Sequence, residues 1–217
     1  MHRTGELYGQ FKTLEQQKES ASLGMWIFLI TEVMFFGGLF LTYTINRHVY
    51  PDIFAQASKS LNLQLGGFNT AVLLASSFTM AMAVWSAQTG KKKLVTIFLF
   101  LTLVLGSIFL GVKAIEYADK FREHHVPGLG FEFEAGSDVA TNAHAQLFFS
   151  LYFGMTGLHA LHMVIGAGLL VWLVKESLRG RFTPEYHTPV EIVGLYWHFV
   201  DIIWIYLFPL LYLIDRH

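Results

Sequence analysis

Five apolar runs divide the chain, at 23–45, 67–87, 94–117, 145–174 and 190–214. A helix rises 1.5 Å per residue, so about 20 residues cross a hydrocarbon core of roughly 30 Å. In that solvent a spanning segment must satisfy its own backbone N–H and C=O groups, and for runs of this length a helix does so. The expected fold is all-α: a single domain over 23–217, built as a bundle of five transmembrane helices, preceded by a polar segment over 1–22. Composition agrees, since 53% of the 217 residues are apolar and only 14% charged, where soluble domains carry about 25%.

The connections are polar. The segment 46–66 includes Arg47, His48, Pro51 and Asp52; 88–93 is a tight turn ending in three lysines; 118–144 is the longest, rich in charge, His and Gly; 175–189 is basic. Nine Lys and Arg fall on the side of the N-terminus and five on the other, which predicts a cytoplasmic N-terminus and a C-terminus outside. Residues 1–22 mix both charge signs and are expected to form a helix along the cytoplasmic face. No signal peptide is read, the first span serving as its own insertion signal. The net charge of −1 gives no reason to expect a nucleic-acid partner. The chain has no cysteine, which excludes disulfides, thiolate metal sites, cysteine-ligated clusters and covalent c-type haem.

Charged and polar residues inside the spans are costly there and mark function by default. Glu32 lies roughly 14 Å from the cytoplasmic end by helix rise; it should face protein, and either pair or stay protonated. Asn69, Thr70, Ser76, Ser77 and Thr79 are helix-joining residues of the second span. Lys113 ends the third span and is expected to snorkel, with Glu116 three residues on as its pairing partner. Met155, His159, His162 and Gly166 share a stripe of the fourth span. His198 and Asp201, three residues apart in LYWHFVDIIWIYLFPL, share a face of the fifth and read as an inter-helix polar lock. Trp197 and Trp204 stand on the Asp201 side. Gly37, Gly38, Gly154 and Gly157 are expected to allow close helix approach, and the aromatic residues to pack mainly against lipid. Two readings use these groups otherwise: a b-type cytochrome with His159 and His198 as haem ligands, and a proton-coupled transporter. No phosphate loop, metal cage or broken-helix pair is evident.

Five blocks, in order, resemble the subunit III family of haem–copper respiratory oxidases. They are W-x-F-L-x-x-E-x-M-F-F-x-G-L-F around Glu32, FNTAVLLASS at 68–77, Glu116-Tyr117, GLHALHMVIG with His159 and His162, and YWHFVDIIWIYLF at 196–208. The chain is similar to the short five-helix bacterial form and lacks the first two helices of the seven-helix form, which build one wall of that form's lipid cleft. The resemblance implies a multi-pass protein of the bacterial inner membrane with no catalytic centre of its own. It implies that haems and copper belong to partner subunits, with none bound here, and that subunit I, subunit II and phospholipid are the partners. The implied role is to stabilise the catalytic subunit of a proton-pumping cytochrome c oxidase and to sustain its proton uptake. Quinol oxidases and nitric oxide reductases have related subunits. Glu32 is then expected to join a histidine network. Helix rise matches it in depth with His198, roughly 12 Å from the cytoplasmic end, better than with His162 at roughly 18 Å.

Overall fold

The computed structural model describes residues 10–128, 131, 133 and 138–214. Six helices are present: α1 (Leu14–Val49), α2 (Pro51–Lys59), α3 (Leu63–Gln88), α4 (Lys92–Arg122), α5 (Val139–Leu178) and α6 (Thr188–Tyr212). All but α2 are long and apolar enough to cross a membrane, as the five runs require. Each extends beyond its apolar run at one end or both, because a helix continues through the interface until a cap or a turn stops it.

α1 shows this best. It begins at Leu14, so residues 14–22 continue the span instead of forming a separate surface helix; residues 1–9 lie outside the described residues. The cause is an N-cap: Thr13 Oγ1 accepts from Gln16 N–H at 3.1 Å, a donor that a helix start leaves open, and the Gln16 side chain reaches back to accept from Lys12 N–H at 2.9 Å. The Asn62 side chain of α3 and the Asp138 side chain of α5 likewise accept from first-turn N–H groups. Glycines at positive φ, Gly90 (+73°) and Gly180 (+71°), stop α3 and α5. At both ends two N–H groups turn back onto the last turn, Lys91 to Ser86 and Gly90 to Ala87, then Arg181 to Glu176 and Gly180 to Ser177.

α3, α4, α5 and α6 form a closed ring in which each touches two neighbours, and α1 lies outside it across α5 and α6. We call the end at which α1 begins the near end, and the end at which α6 stops the far end. α2, which arises inside the 46–66 connection, caps the far end. It starts on Pro51, a residue suited to a first helical turn, and buries Phe54 against Tyr43 and Phe148. Ser58 Oγ donates to the Leu211 carbonyl at 2.7 Å.

Aromatics such as Trp26, Phe78 and Phe100 face outward as expected, and a second set fills the core. Trp197, Trp204, Tyr43, Tyr152, Tyr212, Phe36, Phe54, Phe109, Phe148 and Phe149 are its largest fully buried side chains. Wide rings need room, and the ring of helices provides it at glycines other than the expected ones. A Cβ on Gly106 would meet Trp197 at 2.7 Å and one on Gly166 would meet it at 2.9 Å. Gly37, Gly38 and Gly154 have no neighbour within 4 Å, and Gly157 only the Tyr117 hydroxyl at 3.9 Å.

Candidate functional site: polar groups within the spans

α1 meets α5 at Glu32. Its Oε2 lies 3.3 Å from His162 Nε2, the two side chains being 19% and 13% exposed. Glu32 thus faces protein, as its depth requires. Its partner is His162 and not His198, because α1 and α5 run past their apolar runs at the near end: from the observed helix ends Glu32 and His162 lie roughly 27 and roughly 24 Å deep by helix rise, and His198 roughly 15 Å. The imidazole is held on every side. Its Nδ1 lies 2.9 Å from the Leu158 carbonyl. Phe36 packs edge-on at 5.7 Å and Tyr196 stacks at 6.4 Å. The Tyr196 hydroxyl donates to the His162 carbonyl. A carbonyl beside Nδ1 assigns the proton to that nitrogen and leaves Nε2 to face the carboxyl. A carboxyl and an imidazole thus meet inside an apolar span.

His198 and Asp201 sit on one side of α6, but their nearest atoms are 3.9 Å apart. The inter-helix lock is made instead by Ser77 of α3, whose Oγ lies 2.8 Å from His198 Nδ1. Asp201 is 2% exposed, and Ser77 stands beside its carboxyl. Among the described residues neither Asp201 oxygen completes a hydrogen bond. The small polar residues of α3 join helices as expected. Trp197 Nε1 donates to Ser76, Trp204 Nε1 to Thr70, Thr79 meets Thr102 of α4 at 2.8 Å, and Asn69 Nδ2 donates to the Phe109 carbonyl.

The Lys113–Glu116 pair expected from the sequence forms near the far end, but it is buried and joined by two tyrosines that sequence reasoning missed. Lys113 does not snorkel: it is 4% exposed and donates to Glu116 at 2.9 Å, to the Tyr212 hydroxyl at 2.9 Å and to the Tyr152 hydroxyl at 3.3 Å. Tyr152 and Tyr212 also donate to Glu116 Oε1. Lys113 Nζ lies 5.0 Å from the Trp204 ring. Three helices converge on this ion pair, so burial at this depth is tolerable. A Lys and a Glu three apart inside an apolar run were the available signal; the two tyrosines, distant in sequence, gave none.

His159 is buried between Phe109 and Trp204, at 5.5 and 5.3 Å, and neither ring nitrogen has a partner among the described residues. It and His198 contact different neighbours. Among the described residues no three His, Asp or Glu side chains gather as a metal-binding group. At the near end a cavity of about 510 Å³ is lined by Leu14, Ala21, Trp172, Tyr186 and Ile192 together with Lys18 and Arg181.

Comparison with known proteins identifies the bundle. The family model for cytochrome c oxidase subunit III matches residues 1–124 and 130–215. A probable cytochrome c oxidase subunit 3 of Nocardia farcinica is 34% identical over 193 residues, 89% of this chain and 87% of that one. The cytochrome c oxidase subunit 3 of Thermostichus vulcanus is 32% identical over 89% of this chain and 87% of its own length. The quinol oxidase subunit 3 of Bacillus subtilis is 33% identical over 92% of this chain and 91% of its own. A match across nearly the whole length, on a five-span bundle with a carboxyl–imidazole pair in its spans, means that the chain belongs to the subunit III family of haem–copper oxidases.

Proposed function

We propose that this chain is the non-catalytic subunit III of a proton-pumping cytochrome c oxidase in a bacterial aerobic respiratory chain. It stabilises the catalytic subunit and supports its proton uptake. The observation that carries the reading is the family match over residues 1–124 and 130–215. The partners are catalytic subunit I and subunit II, which hold the haems and copper, in the bacterial inner membrane. The N-terminus is cytoplasmic and the C-terminus outside, as the Lys and Arg distribution favours. Glu32 and His162 form the proton-handling pair. A phospholipid acyl chain suits the near-end cavity beside Trp172 and Ile192, where Glu15 and Glu185 line the wall together with Lys18 and Arg181. The Bacillus relative favours a second reading, subunit III of a quinol oxidase.

Purification through a tag on this chain in mild detergent, with a visible spectrum and subunit identification, tests the proposal. Haem-bearing subunit I should accompany it, and a copper-binding subunit II would name cytochrome c as donor. A chain that purifies alone with its own haem overturns the reading.

A further inference from the structure

α6 is the most covered of the five spans, and its open side carries a stripe beside the exposed Tyr206. Leu195, His198, Ile202, Ile205 and Pro209 follow at spacings of three and four residues and lie in line along the helix. α3 flanks the stripe through the Ser77–His198 contact. α1 flanks it on the other side, with Phe28 on Tyr196 and Phe40 on Tyr206. Among the described residues the α1 and α3 backbones do not pack on one another, so the stripe floors a groove. The groove is apolar apart from His198, whose side chain is 33% exposed. Ser77 engages Nδ1; Nε2 has no partner among the described residues and is not sealed in the core. By helix rise His198 is roughly 15 Å from the first residue of α6, near mid-span. An unpaired imidazole nitrogen is costly in hydrocarbon. Behind it the buried Asp201 carboxyl has both oxygens unpartnered among the described residues, so this cluster offers more hydrogen bonding than the chain itself fills.

We propose that the α1–α6–α3 groove seats a transmembrane helix of the partner oxidase subunit, which sets a hydroxyl- or amide-bearing side chain against His198 Nε2. The proposal rests on the reading of the chain as an oxidase subunit. The occupant is protein and not lipid because an acyl chain offers no hydrogen-bonding group at this depth, and headgroups lie about half a bilayer away. Ser, Thr, Asn and Gln join helices in membranes through such bonds.

Photocrosslinking in native membranes tests it. A benzophenone amino acid replaces Phe78 or Ile202, at 66% and 50% exposure beside the groove floor, and Ile97 on α4 serves as the reference. Irradiation at Phe78 and Ile202 should join this chain to another oxidase subunit. If the oxidase assembles and purifies with the tag, yet both positions yield only lipid adducts or adducts to a second copy of this chain, the groove proposal fails while the subunit reading stands. If no oxidase subunit accompanies the wild-type chain, both fail. A second pair of variants separates bonding from bulk. His198→Phe should lower co-purified partner at least tenfold, and His198→Gln, whose amide can still bond outward, by less than twofold. Equal yields from the two variants overturn the role of Nε2.

Discussion

Trp197 occupies a slot whose walls are Gly106 of α4 and Gly166 of α5, and Ser76 holds its indole N–H at 2.8 Å. The ring therefore cannot yield easily. Gly106→Ala should destabilise the bundle by about 1–3 kcal/mol, the usual cost of overpacking. Gly37→Ala, with open space around it, should be neutral or slightly stabilising, since alanine favours helix. Midpoints of denaturant titration in detergent would show the contrast. The buried ion pair makes a larger claim. Lys113→Met leaves the buried Glu116, among the described residues, with the Tyr152 and Tyr212 hydroxyls alone, and removing one partner of such a pair costs about 3–5 kcal/mol. Lys113→Met/Glu116→Gln should recover much of that loss in the same titration. These sites were partly legible. The Lys–Glu spacing was visible, whereas which glycine meets which ring depends on helix rotation, and rotation is set by neighbours.

At the scale of helices, the ends follow local chemistry and the tilts do not. Asp138 starts α5 by accepting from Thr141 N–H, and the Thr141 hydrogen bonds hold its carboxyl below its ordinary value of 3.8. A carboxyl depressed in the folded chain contributes stability above its unfolded pKa and loses it as pH falls through the folded one. The first turn of α5 should thus be unchanged from neutral pH down to about 4 and fray below that. The amide shift of Thr141 followed against pH would report it, and Asp138→Asn, which keeps a cap without the titration, should flatten the curve. The caps Thr13, Asn62 and Asp138 and the stop signals Gly90 and Gly180 all stand in the sequence beside the elements they bound. α2 was less legible, because a helix of nine residues is too short to declare itself until Phe54 finds Tyr43 and Phe148.

For the whole molecule, two substitutions at carboxyls within the spans should part ways with intuition. Glu32→Gln keeps a group that can bond His162 Nε2, so assembly should be nearly intact. Full loss of the assembled complex in Glu32→Gln membranes would contradict this. Asp201→Leu, which should weaken packing if Asp201 is a polar lock between helices, removes a carboxyl that completes no hydrogen bond among the described residues. Replacing an unsatisfied buried group by an apolar one is commonly neutral or stabilising. The isolated chain should therefore unfold at an unchanged or higher denaturant midpoint, and a drop of several kcal/mol would show that Asp201 holds the bundle.

The sequence by itself determined the class, the number of spans and the family, because hydrocarbon length, backbone satisfaction and ordered motifs act along the chain and need no partner. It also marked Glu32 as a group that must find protein. Tertiary structure decided the pairings: Glu32 with His162, His198 with Ser77, Lys113 in the core, and Trp197 against two glycines. Each depends on the crossing angle and rotation of helices far apart in sequence. Those are settled by packing large aromatic side chains without gaps, a condition on the assembled bundle that no single segment carries.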